Sequence, residues 1–240
     1  LIAEYDIYTE KKFSKLSIEP NTLYIVSTPI GNLEDISFRA LFVLKNVDSI
    51  LCEDTRKTSI LLSKYNIKNK LISFYSRNEL IRLDDTIEKL NSGLSMAIVS
   101  DSGTPCISDP GGILVNKCIE NGIKVKSVPG CSALIHSLVL SGFKIKNFYF
   151  QGFLPQKKGR EKTLTELSKI KSLIVIYESP YRIVKLLSEV IKFFGNKEIS
   201  IGRELTKIYE QFIRGRISDI NKNIQSLKIK GEFVLIINNN

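Results

Sequence analysis

The 240-residue chain reads as two α/β domains in succession. Short apolar runs rich in β-branched residues alternate with stretches of helical period, the pattern of strand–helix units. Loops rich in glycine, proline, aspartate and small hydroxyls follow several of the strands. After Gly142 the pattern breaks and restarts, which places a domain boundary near Lys144–Asn147. The expected organisation is a loose leader over residues 1–20, which are mixed and aperiodic, then an N-terminal α/β domain over 21–144 and a C-terminal α/β domain over 145–240.

The first strand is Thr22–Ser27, followed by Thr28-Pro29-Ile30-Gly31-Asn32-Leu33 and a helix from about Asp35 with Phe38, Leu41, Phe42 and Leu44 on its apolar side. Strand two, Ser49–Cys52, ends in the charged cluster Glu53-Asp54-Thr55-Arg56-Lys57, and a helix runs through Ile60–Leu62. Leu71–Phe74 is strand three, and Glu79–Leu90 a helix. Met96–Val99 is an apolar run of the kind buried in a parallel sheet. A long loop, Ser100–Gly112, leads from it into a helix over Ile113–Ile119, with Asp109 or Ser108 as the expected N-cap and Pro110 in the first turn. Val125–Val128 is strand five, and Ala133–Leu138 starts a new helix.

Past the break, Phe148–Gln151 reads as a strand, Pro155–Glu161 as a basic loop and Thr163–Ile170 as a helix. Leu173–Tyr177 is a strand, Glu178–Arg182 caps a helix that runs through Val190, and Glu198–Ile201 is a strand entering Gly202–Lys207. Tyr209–Arg214 and Glu232–Ile237 are expected as late antiparallel strands.

Composition excludes several classes. Hydrophobic content is 43% and charged content 25%, ordinary for a globular protein, and no apolar run approaches the ~20 residues of a membrane span. No basic-plus-apolar leader marks secretion. The four cysteines, Cys52, Cys106, Cys118 and Cys131, lack C-x-x-C spacing, so no metal site is expected, and they fit a reducing cytoplasm. The single histidine, His136, falls in a helix and reads as structural. Of the net charge of +10, residues 1–140 contribute nothing, with 16 basic and 16 acidic side chains, whereas residues 141–240 hold 19 and 9. A basic half points to a polyanionic partner, nucleic acid first.

The loop Ser100–Gly112 is longer than a plain strand-to-helix turn, and loops at the carboxyl ends of parallel strands are where ligands sit. Neither G-x-x-x-x-G-K-[ST] nor a G-x-G-x-x-G after the first strand is present, which argues against a P-loop enzyme or a dinucleotide enzyme. Acidic and hydroxyl groups in place of lysine suit a neutral-to-cationic ligand with ribose hydroxyls. S-adenosylmethionine meets that description, as other ligands do.

A run of motifs in one order carries a resemblance: Leu23–Leu33, Glu53–Arg56, Ser100–Pro105 with Ser108–Gly111, Val128–Gly130, Ser132-Ala133, Gln151–Pro155, Tyr177–Ser179, Arg203–Lys207 and Gly231-Glu232. In these the chain, over residues 22–237, resembles the tetrapyrrole methylase superfamily, and within it the branch that methylates cytidine 2′-hydroxyls of 16S rRNA. The resemblance implies two α/β domains with an S-adenosylmethionine cleft between them, a homodimer, and the decoding centre of the small ribosomal subunit as substrate. Family cofactor contacts then fall on Pro29, Asp101, Ser102, Gly103, Thr104, Pro105, Ile107, Ser132, Ala133, Tyr177 and Glu178. Two departures stand out. Ser73–Glu79 lacks the histidines that relatives tend to have before Asn-Glu, which removes a histidine base, and Cys131 stands at a usual proline.

A general base would assist a weak ribose nucleophile by ~10²–10⁴-fold. Glu53, Asp101 and Glu178 are the leading candidates, beside Asp54, Glu204 and Lys207. Arg56, Lys57, Lys157, Lys158, Arg160, Arg203, Lys207, Arg214 and Arg216 are the expected phosphate contacts. The rival reading is a tetrapyrrole C-methyltransferase, whose acidic macrocycle would also suit a basic surface.

Overall fold

The computed structural model describes residues 16–222 and 229–240, which form two compact units that divide between Ser132 and Ala133. The first unit holds β1 (Thr22–Val26), α1 (Phe38–Asn46), β2 (Ser49–Cys52), α2 (Thr55–Lys64), β3 (Leu71–Ser73), α3 (Glu79–Asn91), β4 (Ser95–Val99), α4 (Gly112–Glu120) and β5 (Lys124–Val128). Its strands are all parallel in the order β3-β2-β4-β1-β5.

Both faces of this sheet are covered, which explains the continuous apolar runs. Alternate residues of β1 and β4 go opposite ways. Tyr24, Val26, Ala97 and Val99 join Ala40, Leu41 and Leu44 of α1 and Leu61 and Leu62 of α2 in one cluster. Leu23, Met96 and Ile98 join Ile87 and Leu90 of α3 and Leu114 and Cys118 of α4 in another. Burying a leucine of this kind contributes about 1.5–3 kcal/mol. The end of the expected leader belongs to this unit: Ile18 packs on the first cluster, and Glu19 pairs with Lys126 and, at 3.2 Å, with Lys124 on β5. The rest of that leader, residues 1–15, lies outside the described residues.

The second unit holds α5 (Ala133–Ser141), β6 (Phe148–Phe153), α6 (Arg160–Lys169), β7 (Leu173–Glu178), α7 (Ile183–Phe194), β8 (Glu198–Arg203), β9 (Gln211–Arg216), α8 (Ile217–Lys222) and β10 (Phe233–Asn238). Its sheet runs β6-β7-β10-β8-β9, with β6 and β7 parallel and the other neighbours antiparallel. Leu164, Leu167, Leu186, Leu187 and Val190 of α6 and α7 close one face over Ile174, Ile176, Ile199, Ile201, Leu235 and Ile237. On this sheet α5 packs against β8 and β10, which is why the units divide before α5 and not at Lys144–Asn147. The short α8 was not anticipated from the sequence. No helix of the described residues is long and apolar enough to cross a membrane.

Candidate functional site

Because β1 to β5 are parallel, the segments that leave their carboxyl ends gather at one edge of the first sheet. There the long loop after β4 is stitched to the segments after β1 and β5. Thr28 and Gly103 form an isolated antiparallel bridge, with Thr28 N–H donating to Gly103 C=O at 2.8 Å and Gly103 N–H to Thr28 C=O at 3.1 Å. The Thr28 hydroxyl donates to the Ser100 carbonyl at 3.2 Å. The Thr104 hydroxyl donates to Cys131 C=O at 3.1 Å and lies 2.9 Å from Ser27 Oγ. Gly130 is required by this approach, since a Cβ there would sit 3.0 Å from that of Ser27. Pro29, Gly103 and Pro105 are buried, Asp101, Ser102 and Thr104 half-buried, and Ile107 exposed.

The far end of the loop is held from a different helix. The expected cap by Asp109 or Ser108 is not formed: the N-cap of α4 is Gly111, at φ +119, with no side-chain cap of its own. Its N–H donates instead to Oε1 of the buried Glu79, at the start of α3, at 3.0 Å. A Cβ on Gly111 would lie 2.7 Å from both Cys106 Sγ and Ile98 Cδ1. Cys106 itself sits at φ +70, a strain of about 1–3 kcal/mol. Sequence reasoning missed Glu79, because an acidic residue in a first helical turn reads as a partner of the helix dipole.

Four carboxylates gather in and beside this loop. Asp101 accepts from Asp54 N–H at 3.0 Å and from Lys57 Nζ at 2.7 Å. Asp54 caps α2 through Arg56 N–H at 2.9 Å and pairs with the Arg56 guanidinium at 2.7 Å, which holds its carboxyl well below the usual range. Glu53, half-buried, is pushed up by burial and then by the charge of Asp101. Asp109 is pushed up to about 6, first by burial and then by Glu53, against the opposing Ser100 hydroxyl. Asp109 is thus a tuned carboxyl, a role its place in a capping motif concealed. Burial raises Cys106 to about 11, so its thiol stays protonated at neutral pH.

The second unit corrects several expectations. Glu178 is buried, with Arg182 Nε at 2.7 Å, Arg160 at 3.3 Å and its own oxygen accepting from Ser179 N–H at 2.8 Å. Its oxygens are thus occupied by structural partners, which places Glu178 in a buried ion-pair network. Arg160 is buried as well, shared with Glu189 at 2.8 Å and the Pro155 carbonyl at 3.1 Å, so it is no phosphate contact. Arg203 is buried and donates to Lys230 C=O at 2.7 Å, Tyr209 C=O at 3.0 Å and Gln211 at 3.2 Å.

Lys207 bridges Glu204 at 2.8 Å and Glu232 at 3.1 Å. Burial works against the charge of Lys207, but these two partners prevail and raise it, which removes it as a base. Burial likewise raises Glu204, but the Lys207 ammonium and the Glu232 N–H outweigh it and hold the carboxyl below its usual range. Arg214 lies over the Phe212 ring at 4.5 Å and donates to Leu140 C=O, and Arg216 donates to Asn196 C=O at 3.3 Å; both stay exposed. Lys157 and Lys158 are exposed on the turn before α6, as Arg56 and Lys57 are on α2. Tyr177 sets its ring edge-on to Phe150 at 5.0 Å and Phe153 at 5.7 Å, while Ser132 and Ala133 flank the division between the units.

Comparison with known proteins identifies this architecture. The family model for tetrapyrrole (corrin/porphyrin) methylases matches residues 22–221. The chain is 46% identical over 215 residues to ribosomal RNA small subunit methyltransferase I of Thermotoga maritima, covering 90% of this chain and 97% of that one. It is 44% identical to the protein of the same name from Halalkalibacterium halodurans, over 92% of this chain and 77% of that one. Among solved structures, uroporphyrin-III C-methyltransferase of Thermus thermophilus in complex with S-adenosylhomocysteine superposes with a TM-score of 0.65 at 14% identity, over 90% of this chain and 96% of that one. With a family model matching residues 22–221 and relatives this similar over nine-tenths of the chain, the chain belongs to the tetrapyrrole methylase family, on the branch of ribosomal RNA small subunit methyltransferase I.

Proposed function

We propose that this protein is an S-adenosylmethionine-dependent methyltransferase that modifies the 2′-hydroxyl of a cytidine in 16S rRNA, in the decoding centre of the small ribosomal subunit. The observation that carries the reading is the likeness to rRNA methyltransferases along nine-tenths of the chain, including the loop after β4. The donor set of the first unit fits the cofactor. Carboxylates, hydroxyls and carbonyls at Asp101–Pro105, with Pro29, Ile107 and Ser132, suit a ribose diol and a sulfonium cation. S-adenosylmethionine, when bound, supplies an activated methyl group for in-line transfer to a hydroxyl.

The chain's own work is to orient and to take up a proton. The Thr28–Gly103 bridge and the Thr104 hydroxyl tie the loop to its neighbours, and a loop held in this way lowers the ordering cost of alignment. Glu53 and Asp109 are the carboxyls whose surroundings raise their basicity, and Asp109, at about 6, is ionised and proton-accepting at neutral pH. Phosphates are met by exposed Lys157, Lys158, Arg56, Lys57, Arg214 and Arg216. The reading also takes the working protein to be a cytoplasmic homodimer.

The test is transfer of tritiated methyl from S-adenosylmethionine to small ribosomal subunits, naked rRNA and a tetrapyrrole acceptor, with nuclease mapping of the product. Label in 2′-O-methylcytidine from the ribosomal substrate supports the reading. Label on the macrocycle alone moves the protein to the C-methyltransferases, whose fold it shares.

A further inference from the structure

We propose that one edge of the second sheet is a nucleotide-stacking platform, on which Tyr181, Tyr209 and Ile208 receive unpaired bases of RNA while Lys157 and Lys158 meet the flanking phosphates. The inference rests on the RNA reading above and adds the residues that would grip the bases.

Topology brings these residues to one side. Phe233 of β10 is paired with both Glu178 of β7 and Arg203 of β8, antiparallel to each, so β7 and β8 end at the same edge. β6 runs parallel to β7 and ends there too. The turns that follow β6, β7 and β8 therefore leave together, and each ends in exposed side chains. Tyr181 is 95% exposed, Ile208 95% and Tyr209 68%. Large groups this bare contribute little to the core and can meet a partner at the surface.

The turn after β8 is built to hold its tip still. The buried Arg203 guanidinium clamps the carbonyl of Tyr209 itself at 3.0 Å and that of Lys230 at 2.7 Å. Glu204 and Thr206 are held in the left-handed region at φ +50 and +66. Thr206 N–H donates to Glu210 at 2.6 Å, and Lys207 is tied to Glu204 and Glu232. The charged groups of the turn are thus largely tied to one another, and Ile208 and Tyr209 stand out from it beside the exposed Glu210. On the turn after β7, Arg182 is anchored to Glu178 at 2.7 Å, which fixes the base of Tyr181.

Rigid aromatic tips beside lysines match the chemistry of single-stranded RNA. Every base offers a π-face to a tyrosine ring, and the backbone beside it offers phosphates to an ammonium. The basic excess of the chain, 19 Lys+Arg against 9 Asp+Glu after residue 140, falls in this unit.

The chain contains no tryptophan, so Tyr181→Trp and Tyr209→Trp each create a unique fluorophore in the full-length protein. The probes are an unstructured oligoribonucleotide of small-subunit rRNA sequence and intact small subunits. The expected result is quenching of the indole as RNA saturates. Tyr181→Ala and Tyr209→Ala should each weaken RNA binding by about 5- to 150-fold, the range of one lost stack. Their salt dependence should stay as in wild type, whereas Lys157→Ala should flatten it. The phenylalanine variants, which keep the ring, should bind as wild type, and affinity for S-adenosylmethionine should not change in any of them.

Wild-type RNA affinity in both alanine variants, with the indoles unquenched, overturns the platform while leaving the methyltransferase reading intact. An indole response to protein concentration in the absence of RNA also overturns it, and shows the edge meeting a second copy. A wild-type chain that neither binds RNA nor methylates it fails the functional reading, and this inference with it.

Discussion

At the residue scale, two carboxyl groups of the first unit separate chemistry from architecture. Asp109, raised to about 6, destabilises the fold wherever it is ionised, because the folded state holds its proton more tightly than the unfolded chain does. The cost is absent below about pH 4, where both states are protonated, and complete above about pH 6. Asp109→Asn should therefore gain about 1–2 kcal/mol at pH 7, after allowance for partial exposure, and nothing at pH 4, as read from urea unfolding at the two values. If Asp109 accepts the substrate proton, the same variant loses methyl transfer, and the wild-type rate falls as pH drops through about 6. Glu79 shows the opposite behaviour. Glu79→Ala orphans the Gly111 N–H and should cost about 1–3 kcal/mol in thermal or chemical unfolding, while Glu79→Gln, which keeps an acceptor oxygen, should recover most of it. Neither role was legible in the sequence. Local cap chemistry pointed to Asp109 or Ser108, and the actual partner of the helix end comes from 32 residues upstream. The arginines were misread for a related reason, since sequence displays charge but not burial, and Arg160 and Arg203 are both inside.

At the element scale the sequence was informative wherever period and length decide. The parallel strands of the first unit read as continuous apolar runs because helices cover both faces, and the ends of most helices fall within a few residues of their expected places. The short α8 escaped notice since six residues are too few to show a helical period. The domain break was set by the irregular stretch around Lys144–Asn147, whereas α5 is assigned by its packing on β8 and β10. The neighbouring glycines at the start of α4 provide a sharp test of how tightly the loop is built. Gly111→Ala would put a methyl group against Cys106 and Ile98 in a left-handed conformation, and should destabilise by about 2–4 kcal/mol. Gly112→Ala meets open space and should be neutral or gain up to about 1 kcal/mol. Denaturation midpoints of the pair decide whether the tightness is local to Gly111.

At the scale of the whole molecule, the two units are stabilised by different means. The first relies on two apolar layers, whereas the second adds a buried network of Glu178, Arg160, Glu189 and Arg182. Arg160→Ala leaves buried carboxylate charge uncompensated and should cost about 3–5 kcal/mol, with hydrogen exchange accelerated in β7 and α7 and unchanged in the first unit. The ends of the two sheets carry a further consequence, for how this protein behaves in a test tube. β3 is only three residues long, β5 presents Lys124 and Lys126, and β9 presents Arg214 and Arg216; each discourages a stray strand from joining. β6 is six residues without a charge, with Phe148, Tyr149 and Phe153 exposed, and its one irregularity is the shift between Phe150 and Gly152. When the chain is concentrated or refolded, this strand is where copies should stick and yield be lost. A lysine substituted for Tyr149 should raise recovery from denaturant without altering the midpoint of unfolding.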